Sequence, residues 1–193
     1  LGDDQPADLA AAARAIVLDS DPAGKVRRAK STAKAWFSGR LALGAHSRPF
    51  AMPERPGRPD RPQLLPPRAM PKRSTGGLKG RFALLHSLAH IELNAIDLAW
   101  DIIARFDTGG LPRDFYTDWI EVADDEARHF ELLSSRLADF GAAYGDFPAH
   151  DGLWQAAEET AHDLLARLAV VPLVLEARAL DVTPRTVANL RRA

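Results

Sequence analysis

The sequence predicts an all-α fold, on three observations. From residue 78 onward, apolar residues recur at the three- and four-residue spacings typical of long amphipathic helices. No stretch alternates convincingly between apolar and polar residues, as a half-buried strand does. A short connection at Gly109–Gly110 joins the first two long helices, so we expect them to be antiparallel neighbours in a helical bundle.

Three regions follow from composition: an N-terminal helical arm (1–42), a Pro/Arg-rich extended strap (43–77) and a helical bundle (78–193). In the arm, "ADLAAAARAIVLDS" predicts a helix with Asp8 near its start, and "DPAGKVRRAKSTAKAWFSGRLAL" predicts a second that opens on Asp21-Pro22. The strap holds eight prolines between Pro49 and Pro71, which exclude helix and central strand.

The bundle region contains three predicted long helices. The third is expected to be interrupted or kinked at Pro172, and a further helix is expected to begin at Thr183-Pro184. The predicted spans are about Leu78–Phe106, about Pro112–Gly141 and about Leu153–Leu180.

Charge and composition limit the functions that the chain can serve. The 193 residues contain no cysteine, so a metal would be held by His, Asp and Glu. Residues 1–80 hold 15 Lys/Arg against 7 Asp/Glu, and residues 81–193 hold 10 against 19. This basic arm is expected to dock on the acidic remainder of the chain, with an acidic partner such as nucleic acid as the alternative. The longest apolar run is too short for a membrane span and no secretory leader is visible, so we expect a cytoplasmic protein that does not bind membranes. DNA is not among its expected partners.

Four polar residues fall where packing alone would favour leucine. Glu92 lies within the apolar stripe of the first long helix, and Glu126 and His129 lie on that of the second. Glu176 lies on the stripe of the third. The apolar stripes themselves are Leu85, Leu88, Ala89, Ala95, Ile96, Ala99 and Ile103; Trp119, Val122, Ala123, Phe130, Leu133 and Leu137; and Leu165, Leu168, Ala169, Leu173 and Leu180. A buried carboxylate costs several kcal/mol unless something compensates its charge.

The positions of Glu92 and Glu126 along their helices suggest what compensates. Each lies about seventeen residues from the Gly109–Gly110 turn, so antiparallel helices would bring the two carboxylates to the same height. His129 lies one turn from Glu126. One Glu from one helix and Glu-x-x-His from its neighbour form half of a di-iron carboxylate site, an arrangement known from ferritin-like bundles. The alternative is a self-satisfied core pair of Glu126 and His129, with Glu92 bonded to an arginine such as Arg128.

Other polar residues are candidates for the surroundings of this site. His90 and His86 share a more polar flank of the first long helix, where they either face solvent or hydrogen-bond to the ligands, with His90 the nearer. Asp125, like Asp97 and Glu121, fits a solvated face or a contact to His129. Glu159 and His162 repeat the Glu-x-x-His spacing, but lie too far from Glu176 along an ideal helix to join the site.

Four segments resemble a bacterial ferritin-like family that is catalogued as a domain of unknown function. They are "HSLAHIELNAIDLAWD", "DWIEVADDEARHFELL", "YGDFPAH" and "RLAVVPLVLEARALDVTP". The resemblance implies a four-helix core of the ferritin-like di-iron carboxylate superfamily, which includes rubrerythrin and a tRNA hydroxylase. It places Glu92, Glu126, His129 and Glu176 on metal-ligating positions. It also implies a second Glu-x-x-His on a fourth core helix, and that helix is expected to be truncated here.

The predicted function is therefore that of a di-iron, or iron–manganese, carboxylate oxidase or hydroxylase. Its expected cofactor is iron, with two ions in the full-length protein, or manganese. Its expected partners are metal ions, a small-molecule or RNA substrate, and a second copy of the chain in a homodimer. Two alternatives stay open, a non-catalytic metal-storage or metal-stabilised structural bundle and a metal-free helical interaction module.

Overall fold

A computed structural model describes residues 6–44, 51–71, 77–106 and 110–176, with residues 181, 183, 184, 187 and 188 beyond them; the side chains of 173–176 lie outside the description. Every regular element in these ranges is helical, which confirms the all-α prediction. None of the helices there is long and apolar enough to cross a membrane. The chain divides into two compact units, Leu1–Asp60 with Glu92–Leu132, and Arg61–Ile91 with Leu133–Ala193.

The first unit opens with helices α1 (Leu9–Leu18) and α2 (Pro22–Phe37), both as predicted. The Asp8 carboxylate accepts a hydrogen bond from the Ala11 N–H at 2.9 Å and so caps the start of α1. Asp21 caps α2 in the same way, and Pro22 occupies the first helical position. The small alanines on the inner faces of α1 and α2 are almost fully buried, which allows the two helices to pack closely.

Helix α3 (Gly77–Arg105) and helix α4 (Arg113–Asp139) match the first two predicted long helices to within about two residues at each end. Both contribute residues to each of the two units. Within the first unit, α3 is buried on all sides from Leu93 to Ala104. Helix α4 buries one stripe there, formed by Tyr116, Ile120, Ala123, Ala127 and Phe130.

The predicted α4 stripe was partly wrong. Val122 is 41% exposed, whereas Tyr116 and Ile120 take the buried positions next to it. The true stripe is rotated slightly around the helix, so Glu126 and His129 lie at its edge and not at its centre. That edge position matters for the site described below.

The strap is extended between residues 51 and 71, as predicted, apart from one 3₁₀ turn at Pro67–Ala69. In the first unit, the Gly57 N–H donates to the Val17 carbonyl at 2.8 Å. A Cβ on Gly57 would lie 2.2 Å from the Leu18 carbonyl oxygen, so only glycine allows this approach. In the second unit, strap backbone at Gln63 and Leu65 exchanges hydrogen bonds with Ala149 at 3.0 and 2.8 Å.

A buried charge cluster in the first unit joins the arm and the strap to α3. Asp97 is completely buried and forms ion pairs with Lys25 of α2 and Arg58 of the strap. The Lys25 ammonium also donates to the carbonyls of Val17 and Gly57 at 3.3 and 3.2 Å. The expectation that Asp97 faces solvent or contacts His129 was wrong. Asp97 is buried and pairs with Lys25, a residue 72 positions away along the chain.

A second pair extends this docking along α3. The buried Asp101 carboxylate accepts from Arg105 Nε at 2.9–3.0 Å, and Arg105 Nη2 donates to the Pro53 carbonyl at 2.7 Å. On α2, Lys30 pairs with Glu131 of α4 at 2.6 Å. Part of the basic arm and strap therefore docks on acidic residues of the same chain, as predicted.

The third predicted long helix is replaced by three shorter elements in the second unit. These are α5 (Gly152–Glu159), α6 (Leu164–Leu168) and a π-helical segment (Ala169–Glu176) that contains Pro172. Helical structure is interrupted at residues 160–163. There Asp163 caps α6 by accepting from the Ala166 N–H at 2.6 Å. The prediction of one helix interrupted only at Pro172 was therefore wrong. The helix expected at Thr183 falls largely outside the described residues.

Arg167 explains this break. Its side chain is fully buried, donates from Nη2 to the Ala157 carbonyl at 2.6 Å and from Nε to the Thr160 hydroxyl at 2.9 Å. The guanidinium thus satisfies acceptors at the C-terminal end of α5, where a cation is favoured by the helix dipole. Leu165, predicted to be on the apolar stripe, is instead 76% exposed.

Candidate metal centre

Glu92, Glu126 and His129 come together in the first unit, where α3 and α4 meet. Glu126 and His129 are three residues apart on α4, so their side chains lie on one face of the helix. Glu92 is supplied by α3, immediately before the stretch of that helix that is buried on all sides. Helix geometry and the packing of α3 thus fix all three backbone positions.

Each of these residues offers one ligand atom, and the three atoms lie within 4.8 Å of one another. His129 Nδ1 is 3.0 Å from Glu126 Oε2 and 3.7 Å from Glu92 Oε2. The Glu92 and Glu126 side chains are 21% and 19% exposed, and the His129 side chain is 46% exposed. The cluster is therefore half-buried, with its imidazole on the open side.

This set of donor atoms fits a first-row divalent metal ion. Two carboxylate oxygens and one imidazole nitrogen are ligands that iron, manganese and zinc accept. Two carboxylates this close repel each other, and a cation between them would relieve that repulsion. Nδ1 is the imidazole atom that faces both carboxylates, so it is the nitrogen that would bind the ion.

Arg128, the arginine named as an example in the alternative considered above, pairs with Asp125 and not with Glu92. Arg128 Nη2 donates to Asp125 at 2.7 Å, and both side chains are more than half exposed. Asp125, a candidate for a contact to His129, therefore forms a surface ion pair instead. The Glu126–His129 hydrogen bond of that alternative is present, but Glu92 lies beside it.

Glu176, the fourth predicted ligand, lies at the end of the π-helical segment. Its side chain falls outside the described residues. Its assignment as a ligand stays a prediction.

His86 and His90 belong to the second unit and are buried, so the expectation that they face solvent was wrong. Their alternative role, a hydrogen bond to a metal ligand, stays a prediction. His90 Nδ1 is 2.8 Å from the Tyr144 hydroxyl, and its Nε2 is 3.1 Å from the His150 carbonyl. Their described hydrogen bonds go to the loop at Tyr144–His150. No feature of the sequence predicted this pairing.

His86 is held in its neutral form by this loop. Its Nε2 accepts from the Gly145 N–H at 2.9 Å, and its ring stacks on Tyr144 with centroids 5.2 Å apart. Because Nε2 is the acceptor, the ring proton is on Nδ1, which has no hydrogen-bond partner among the described residues. Burial lowers the pKa of His86, and the nearby Asp146 charge opposes that shift.

Comparison with known proteins places the chain in a family. The family model described as "Protein of unknown function (DUF455)" matches residues 18–193. The chain belongs to this family. An uncharacterised family relative from Haemophilus influenzae is similar, at 47% identity over 131 residues, which is 65% of this chain and 46% of the relative. The chain thus spans about half the length of the curated relative it matches. No solved structure matches it.

Proposed function

We propose that this DUF455 chain is the metal-binding part of a ferritin-like di-iron, or iron–manganese, carboxylate oxidase or hydroxylase. The observation that carries the proposal is the convergence of Glu92, Glu126 and His129. Three residues on two helices, separated by 34 positions between Glu92 and Glu126, present their ligand atoms within 4.8 Å of one another. A solvated surface pair has no reason to recruit the third residue from another helix.

Each of the three residues has a defined part in holding the ion. Glu92 and Glu126 supply negative charge that balances a divalent cation, and their partial burial strengthens that attraction. His129 would supply the Nδ1 atom that lies 3.0 Å from Glu126, and a metal ion binds imidazole only through a nitrogen that carries no proton. When bound, iron or manganese would supply redox chemistry toward oxygen that amino-acid side chains lack.

Further ligands for a second metal ion are expected from Glu176 and from the part of the longer family members that this chain does not span. The relative from Haemophilus influenzae extends over roughly twice the matched length. The activity of the complete protein, its substrate and its electron donor belong to this proposal, and the metal site of the present chain can be tested without them.

The test is metal content after anaerobic reconstitution with Fe(II), Mn(II) or Zn(II), measured by elemental analysis. We expect about one equivalent per chain in the wild type and a loss of tenfold or more in affinity for Glu92→Ala, Glu126→Ala and His129→Ala. Glu121→Ala is the matched control, because Glu121 is an exposed carboxylate on the same helix outside the cluster. Circular dichroism checks that every variant stays helical.

Less than about half an equivalent of each metal in the wild type would refute the site. Equal binding by Glu126→Ala and the Glu121→Ala control would refute the ligand assignment. Oxygen consumption by the reconstituted full-length protein then separates the oxidase from the structural alternative. Metal that raises the melting temperature without any oxygen uptake would assign the site a structural or storage role.

A further inference from the structure

A cavity of about 250 Å³ lies in the first unit, beside the last two turns of α2. Four polar residues line it, Ser31, Thr32, Lys34 and Arg40, and its remaining walls are the apolar residues Pro6, Ala35 and Leu41. No carboxylate is among these lining residues. Among the described residues, the cavity therefore presents two exposed cations and two hydroxyl groups with no carboxylate in its lining.

Lys34 and Arg40 differ from the other cations of this segment. Of the six between Lys25 and Arg40, four pair with carboxylates: Lys25 with Asp97, Arg27 with Asp21, Arg28 with Asp19, and Lys30 with Glu131. Lys34 and Arg40 form no ion pair in the part of the chain that the structure describes; Arg40 Nε donates only to the Ser38 hydroxyl, at 2.9 Å. The two cations left without a carboxylate are the two that line the cavity.

Capping of α2 does not explain these two cations. The carbonyls of Lys34, Ala35 and Trp36 already accept backbone N–H groups from residues 38–40, at 2.9–3.1 Å. Because the end of the helix is satisfied by its own backbone, the cationic head groups stay available for an external anion.

Thr32 adds a second and independent observation. It is only 7% exposed, it lines the cavity, and its hydroxyl has no hydrogen-bond partner among the described residues. The hydroxyl oxygen itself is accessible to solvent in the cavity, so it can donate to a bound anion. The neighbouring Ser31 hydroxyl, by contrast, already donates to the Arg28 carbonyl at 3.0 Å.

We propose that this cavity binds the phosphoryl group of a small phosphorylated molecule. An arginine fork and a lysine ammonium together match the several acceptor oxygens of a phosphate, and the Thr32 hydroxyl can donate to another. The volume admits a phosphate with a few additional atoms, and it is below the range of cavities that enclose larger organic ligands. The site is separate from the metal cluster, since none of Glu92, Glu126 and His129 lines the cavity.

The test is a titration with inorganic phosphate or methyl phosphate. Binding is measured from the NMR shifts of the backbone amides of Ser31 and Thr32. We expect saturable binding, weakened about tenfold or more by Lys34→Ala or Arg40→Ala and several-fold by Thr32→Val. The matched control is Arg27→Ala, which removes an exposed cation from the same helix outside the cavity and is expected to change affinity less than about twofold.

Three outcomes would overturn the proposal. They are the absence of saturable binding up to about 10 mM phosphate, equal affinity in Lys34→Ala and Arg27→Ala, and binding of the dicarboxylate malonate as tightly as phosphate. The metal site does not enter this test, because Glu126→Ala is expected to bind phosphate like the wild type. Failure of one proposal is therefore distinguishable from failure of the other.

Discussion

Replacing Asp97 with alanine tests the buried charge cluster directly. The substitution leaves the Lys25 ammonium, which is 1% exposed, with two carbonyl acceptors and no counter-ion. Breaking a buried pair in this way typically costs about 3–5 kcal/mol of unfolding free energy. The loss has an upper limit, because Lys25 can give up its proton. Holding a lysine neutral at pH 7 costs about 4.6 kcal/mol, from 1.36 kcal/mol per pH unit and an unfolded pKa of about 10.4.

This limit gives the variant a distinctive pH dependence. In the native protein burial already lowers the pKa of Lys25, and the Asp97 charge opposes that shift. Without Asp97 this opposition is lost, so the pKa of Lys25 falls further in the folded state while the unfolded state keeps its proton up to about pH 10.4, and stability rises with pH. Between pH 7 and pH 9 the variant should regain up to about 2.7 kcal/mol, and more than the wild type does.

Urea unfolding followed by tryptophan fluorescence measures both effects, since Trp100 is fully buried on the same helix. Asp118→Ala, at an exposed position of α4, is the control and should change stability by less than about 0.5 kcal/mol. The double variant Lys25→Met/Asp97→Leu should recover most of the loss, because it removes the buried Lys25–Asp97 pair, while Arg58 keeps its hydrogen bond to Asn94. A loss below about 1 kcal/mol, or an equal loss at pH 7 and pH 9, would refute the reasoning.

Two further predictions concern the second unit and the strap. The free energy of unfolding of the wild type should fall by up to about 1.4 kcal/mol per pH unit below pH 6.5. Neutral His86 accepts from Gly145 and burial lowers its pKa, so the unfolded state takes up the proton first. Urea unfolding from pH 7.5 to 5.5 measures this, and an unchanged slope of unfolding free energy against pH in His86→Phe contradicts it. Gly57→Ala should destabilise the first unit by about 1–3 kcal/mol and speed proteolysis of the strap, because the added Cβ would lie 2.2 Å from the Leu18 carbonyl oxygen. Ala51→Ser, at an exposed position of the strap, is the control. Equal cleavage rates for the two variants would count against the clash.

Local rules were sufficient for much of the fold. Asp8 and Asp21 are helix caps that act within three residues, so the starts of α1 and α2 could be predicted from the sequence. The grouping of Glu92 with Glu126 was also predictable, because helical rise and one short turn determine the heights of both residues. Their function as metal ligands stays a prediction.

Residues whose partners are distant in the sequence could not be predicted. Asp97 looked like a solvated carboxylate, because nothing near it announces Lys25 or Arg58. Likewise, nothing near Arg167 in the sequence indicates that it satisfies the end of the preceding helix, where the predicted long helix is interrupted. Helical periodicity gives the orientation of a buried face only to within about one residue, which is why Val122 was placed on the wrong side.

The attachment of the strap at two points has a consequence for synthesis on the ribosome. Gly57 bonds to Val17, which is already made when the strap emerges, whereas the bridge from Leu64 must wait for Ala149, 85 residues later. At about 5–20 residues per second that interval is roughly 4–17 s. During that interval the second half of the strap lacks its bridge to Ala149. Prolines lack an N–H group and cannot complete a strand ladder, so the eight between Pro49 and Pro71 protect the nascent chain from pairing with the wrong partner.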